Sequence, residues 1–168
     1  SHDIGHKGFS LNYLKRLIEL VEDHSRVFLS VEGEIPEYLE KYKLPIDPTE
    51  IHNILYYAEL FIGEGATMAS ECAVLGTPSV YVNSLSAGSL ENQEKENLIH
   101  MFNSTDGVIE KVEEILRNDN YKTQQKIMRD KALEKKVDVN KFMEWFILNY
   151  PNSYEKIKEN PRLQYKIK

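Results

Sequence analysis

Gly63, Gly65, Thr67 and Glu71 are spaced so that they could hold a phosphorylated ligand. The two glycines let a ligand approach the main chain closely, and they permit backbone angles that other residues resist. If a helix begins at Ala66, its first N–H groups have no partner within the helix and face outward as anion donors, with the Thr67 hydroxyl beside them. Glu71 falls four residues beyond Thr67, one turn along on the same face. There its carboxylate can reach sugar hydroxyls attached to such a phosphate. In the plain structural alternative the glycines only make a tight turn and Glu71 is a solvated helix residue. G-x-G spacing alone does not separate the two. The turn lacks the third glycine of the dinucleotide fingerprint and the Gly-Lys-Ser/Thr ending of a Walker-type phosphate loop.

These residues belong to a stretch, Leu60 to Asn83, that reads as strand, tight turn, helix and strand. Leu60-Phe61-Ile62 is apolar, the segment after Gly65 is rich in small residues, Gly76 and Pro78 end it, and Val80-Tyr81-Val82 resumes strand character. In an open α/β sheet ligands lie beyond the carboxyl ends of the strands, against helix N-termini, so this turn is where chemistry is expected.

The rest of the chain supplies the frame. Ser10 is a plausible N-cap for a helix from Leu11 to Val21, with Leu14, Leu17, Ile18 and Val21 on one face. Arg26 to Val31 reads as a strand and Pro36 to Tyr42 as a short helix. Leu44-Pro45-Ile46 reads as extended, and Thr49 to Ala58 as a helix capped near Asp47 or Thr49. Ser84 to Ser89 forms a loop long enough to cover a site. A charged helical piece follows at Glu91 to Asn97, then a short strand at Leu98 to Phe102 and a helix at Gly107 to Leu116. From Tyr121 the chain is helical by composition, with an apolar cluster at Phe142, Trp145, Phe146 and Ile147. Pro151 stops that helix, and the lysine-rich end from Tyr154 is expected to be a surface or frayed tail. Strands alternating with helices through short connections indicate a parallel sheet built by right-handed crossovers.

The fold class expected is therefore α/β: a Rossmann-like, three-layer domain over residues 1–120, with a helical extension over 121–168 packed on it. The glycine-punctuated loop Ser1 to Ser10 is of the kind that normally follows a strand, so the domain is expected to lack its first strand and the natural chain to be longer.

The chain of 168 residues, with 41% hydrophobic and 29% charged residues, has the composition of a soluble globular protein. A net charge of -6, with lysines spread among acidic neighbours, argues against nucleic acid as the partner. No apolar run reaches a membrane span of about 20 residues and no leader opens the chain, so the expectation is a cytoplasmic protein. The single cysteine, Cys72, excludes an internal disulfide, and its place in the small-residue helix predicts a buried, inert thiol. His2 and His6 flank Asp3, but a glycine-rich loop gives no helix to set them on one face, so no metal is assigned.

The run from Tyr57 to Pro78 resembles the donor-binding segment of GT-B glycosyltransferases and UDP-N-acetylglucosamine 2-epimerases. It is most similar to DUF354 proteins, a prokaryotic group related to those enzymes. Ser1-His2-Asp3-Ile4-Gly5 resembles the Ala-Ser-His-Asp-x-Gly loop that opens the second domain in that group. The likeness covers roughly the first hundred residues by motif order. It implies the C-terminal domain of a GT-B pair, binding a nucleotide-sugar, UDP-linked in the epimerases, with no separate cofactor. It also implies that Gly65, Ala66 and Thr67 hold the diphosphate and Glu71 the ribose. The loop carrying Ser1, His2, Gly5, His6 and Lys7 would border the sugar and phosphates, and the base would stack near Ile46 and His52. A facing N-terminal domain of the same chain is the implied partner, without which the fragment would bind but not turn over; a homo-oligomer stays open, and no catalytic residue is assigned. The departure is Glu64, where the epimerases carry a small polar residue, because a carboxylate aimed into the turn would repel a diphosphate. A non-catalytic scaffold in surface-polysaccharide assembly is the alternative from another class, and a flavodoxin-like module a third. The scaffold reading would show a Glu64 side chain blocking the turn and no cleft beside it.

Overall fold

The computed structural model describes residues 9–31, 33–84 and 88–167. The elements run α1 (Leu11–Glu22), 3-10 turns at Glu37–Tyr42 and Pro48–Glu50, and α2 (Ile51–Tyr57). Next come β1 (Phe61–Gly63), α3 (Ala66–Leu75), β2 (Ser79–Val82), α4 (Gly88–Lys95), β3 (His100–Phe102) and α5 (Val108–Leu116). α6 (Tyr121–Leu133), α7 (Val139–Leu148), α8 (Asn152–Glu159) and a 3-10 turn at Pro161–Lys166 complete the order. The chain divides into two compact units, Ser1–Met128 and Arg129–Lys168, so the division falls within α6.

In the first unit the three strands form a parallel sheet in the order β1-β2-β3, with Ile62 opposite Val80 and Val80 opposite His100. Both crossovers step the same way across the sheet, so right-handed connections set α3 and α4 on one face, where they pack together. The other face carries α1 and α5. Val80 and Val82 point to it and are buried with Leu17 of α1 and with Val108, Val112 and Ile115 of α5. Ser79 and Tyr81 alternate to the α3 side. All four residues of β2 are buried, as expected of a central strand covered on both faces. The arrangement is Rossmann-like in its parallel, open, doubly covered sheet.

Local chemistry accounts for the helix ends. The Ser10 side chain accepts a hydrogen bond from the Tyr13 N–H and caps α1. Asp47 accepts from Thr49 N–H at 2.9 Å and from its hydroxyl at 2.7 Å, which starts the turn leading into α2. Those two bonds hold the Asp47 carboxyl below its ordinary value. Gly76 ends α3 at φ 77°, where a side chain would be strained, while Thr77 N–H donates back to the Cys72 carbonyl at 2.9 Å. The buried Thr77 hydroxyl donates to the Leu55 carbonyl at 2.6 Å and ties the end of α3 to α2.

Two expectations are corrected. Arg26 to Val31 is not a strand of the sheet: only Leu29 makes a bridge, with Lys43, through Leu29 N–H to the Tyr42 carbonyl and Leu44 N–H to the Leu29 carbonyl. Its strand-like composition meets no neighbouring strand among the described residues, and Phe28 and Val31 stay about half exposed. The lysine-rich end from Tyr154 lies largely at the surface, one of the two outcomes expected, but it is not frayed, since α8 and a final 3-10 turn organise it within the second unit. Ser153 is fully buried there with its hydroxyl on the Phe146 carbonyl at 2.6 Å, and Asn160 caps the last turn by accepting from Arg162 N–H. The aromatic cluster expected in α7 does form, with Phe142 5.8 Å from Phe146 and 6.2 Å from Trp145 between ring centroids. Ile147, grouped with it from the sequence, is instead exposed.

His100 on β3 lies 2.6 Å from the Tyr121 hydroxyl. Burial holds its imidazole below the ordinary value of 6.5, with Lys111 adding to the effect and Glu114 and Glu94 opposing it. A histidine kept neutral by the fold binds its proton more readily when unfolded. Its contribution to stability is complete above about pH 6.5 and is lost as the pH falls from there through the lower value of the folded state. Urea unfolding between pH 7.5 and 5 is therefore expected to show stability declining on acidification, and His100→Gln is expected to flatten the decline. An unchanged slope in the variant would assign the acid sensitivity to other groups.

Candidate functional site

The connection from β1 to α3 emerges at the carboxyl edge of the sheet, and so does the one from β2 to α4. An open depression of about 360 Å³ lies there, lined by Ala66, Thr67, Ser70 and Glu71 of α3 and Ser89 of α4. Three of the lining residues carry hydroxyls and one a carboxylate, a set that can exchange hydrogen bonds with the hydroxyl groups of a ligand.

Gly65 is the N-cap of α3, at φ -81° and ψ 108°, and no side chain caps the helix there. No acidic residue occupies its first turn. The positive end of the helix dipole therefore opens onto the depression without a carboxylate of its own helix in front of it. The reason expected for the glycines needs correction, because neither turn glycine adopts a positive φ. At Gly63 a Cβ would fall 2.7 Å from the Phe61 ring, so the absence of a side chain allows a close approach. At Gly65 a Cβ would meet nothing within 4 Å, so the missing side chain leaves open space in front of the helix.

Glu64 lies in the turn, and one oxygen of its carboxylate accepts a hydrogen bond from the Phe9 backbone N–H, at the start of the chain leading into α1. Its carbonyl accepts from the Asn83 side-chain amide at 3.2 Å, and Asn83 N–H donates in turn to the Phe102 carbonyl at 2.9 Å. These bonds tie together the chain leaving all three strands.

The structure brings Ala66, Thr67 and Glu71 to one wall, with Gly65 at its head. His52, on α2, joins them through Glu71: its Nε2 is 3.3 Å from Glu71 Oε2. Ile46 lies half-buried in the segment before Pro48 and is not among the residues lining the depression. Ser1, His2, Gly5, His6 and Lys7 lie outside the described residues, as do three residues of the Ser84 to Ser89 loop. Among the described residues no cluster of three or more His, Cys, Asp or Glu side chains could hold a metal ion.

Sequence reasoning missed Ser70 and Gln93. Gln93 Nε2 donates to the Ser70 hydroxyl at 3.0 Å, which braces α4 against the α3 wall. Ser70 is three residues beyond Thr67, so helical spacing held the signal for it; the contact from α4 left none. Cys72, behind this wall, is fully buried, and burial pushes its thiol up to about 12, with the Glu71 charge adding to the effect. It is a packing residue and not a nucleophile.

No helix among the described residues is long and apolar enough to cross a membrane. Residues 10–149 match the model of a family described as "Protein of unknown function (DUF354)". No curated protein and no solved structure matches the chain.

Proposed function

The chain belongs to the DUF354 family, and from that starting point we propose that its first unit is the donor-binding domain of a GT-B-like nucleotide-sugar enzyme. In this reading the N–H groups of Ala66 and Thr67 and the Thr67 hydroxyl bind the diphosphate, and Glu71 accepts the ribose hydroxyls. Base-side contacts come from the region of Ile46 and His52. The reaction, glycosyl transfer or sugar epimerisation, requires the facing domain of the GT-B pair. UDP-linked sugars are the first donors to test.

One observation carries this reading: the uncapped N-terminus of α3 opens onto the hydroxyl-lined depression while the Glu64 carboxylate is turned to the Phe9 N–H. The hydrogen bond from Phe9 N–H gives the Glu64 carboxylate a partner outside the turn, which favours this reading. A Glu64 side chain blocking the turn, with no cleft, was the mark of the scaffold alternative.

The test is calorimetric titration of the full-length protein with UDP, UDP-N-acetylglucosamine and other nucleoside diphosphates. Saturable binding is expected, and Glu71→Ala is expected to weaken it about tenfold, the worth of a hydrogen bond to a charged group, with a smaller effect on unfolding. No binding of any nucleoside diphosphate would overturn the reading and leave the chain as a partner-binding relative in polysaccharide assembly.

A further inference from the structure

We propose that His52 is a positioning residue that sets the Glu71 carboxylate for recognition of a ligand hydroxyl; this rests on the nucleoside-diphosphate reading of the site. Glu71 projects from α3 into the wall of the depression, and His52 belongs to α2. Their side chains meet at 3.3 Å, between His52 Nε2 and Glu71 Oε2. The two helices pack together, and the Thr77 hydroxyl on the Leu55 carbonyl links them, so the fold itself sets this meeting.

An unbraced glutamate samples several rotamers and loses that freedom on engaging a ligand. A contact formed beforehand removes part of the loss. With Oε2 directed to the imidazole, Oε1 is left to accept from a hydroxyl in the depression, in one orientation. His52 thus governs how well the site distinguishes a ligand that carries the hydroxyl from one that lacks it. It does not govern how tightly the phosphates are held, because those sit at Gly65 to Thr67, one turn away.

The His52 side chain is 61% exposed, so the variants should fold. Full-length wild-type, His52→Ala and His52→Gln proteins are titrated with UDP and with 2′-deoxy-UDP. The wild type is expected to prefer UDP about tenfold, as one hydrogen bond to a carboxylate allows. His52→Ala should collapse that preference to less than about threefold, and His52→Gln, whose amide N–H can donate to the same oxygen, should restore it. Retention of the full preference by His52→Ala overturns the proposal, as does an equal loss of both affinities or a wild type that binds the two nucleotides alike; in each case the nucleotide site itself stands. Failure of the wild type to bind either nucleotide is a different result, which overturns the site reading and this proposal with it.

Discussion

Gly65→Val is expected to abolish nucleoside-diphosphate binding while leaving the protein folded. The backbone at Gly65 has ordinary extended angles, and a Cβ built there meets nothing within 4 Å, so the fold accepts a branched side chain. Valine is a poorer N-cap than glycine, and with no side-chain cap bond to lose, the cost should stay at about 1 kcal/mol or less. The added side chain is at the N-cap of α3, next to the N–H groups proposed to hold the diphosphate, and is expected to crowd them. Excluding a phosphate oxygen from two such donors removes two charge-assisted hydrogen bonds of about 1.5 kcal/mol or more each, a loss of at least about a hundredfold in affinity. Calorimetry gives the affinity, and thermal unfolding of the same sample shows that the protein is folded. Unchanged affinity in a folded variant would place the ligand elsewhere. The substitution separates the two roles that a turn glycine can have. Gly63, where a Cβ would run into the Phe61 ring, would mix lost binding with a disturbed strand end.

That distinction was invisible in the sequence, where Gly63 and Gly65 look equivalent. Local periodicity and punctuation were enough for α1, α3, β2 and α5, because each has a cap, a stop or an apolar stripe within its own residues. Ser10 and Gly76 do in the structure what their types suggest. Arg26 to Val31 failed because a strand is a property of a pair, and composition does not report whether a neighbour exists. After Pro151 the described lysines read as solvated and are exposed, but the order of the segment was not legible, because one small residue, Ser153, anchors the helix from inside. At the site the α3 wall was legible because Thr67 and Glu71 share a helical face. The contacts that give it meaning join elements far apart in sequence: Phe9 with Glu64, His52 with Glu71, and Ser70 with Gln93. Glu64 shows the limit most sharply, since nothing in the sequence indicates that its carboxylate meets the Phe9 N–H.

The largest effect on stability is expected from Leu17→Ala. Leu17 is 4% exposed and packs among Val80, Val82, Val108, Val112 and Ile115, so it joins α1 to the sheet and to α5. Each of those neighbours sits on a strand or helix with its own partners, which limits how far they can close on the space left behind. The cost should therefore fall in the range for buried leucine truncations, about 2–5 kcal/mol. Against a total of about 5–15 kcal/mol for a domain of this size, that is a large fraction. Urea unfolding of the full-length variant should show a lower midpoint with an unchanged slope, because the surface exposed on unfolding is nearly the same. A loss under about 1 kcal/mol would mean that α1 is held mainly by its polar contacts, such as the Tyr13 hydroxyl on the Thr105 carbonyl. The cavity lies on the α1 and α5 face, across the sheet from α3. Affinity for the proposed nucleotide, measured on the folded protein, should thus change far less than in Gly65→Val.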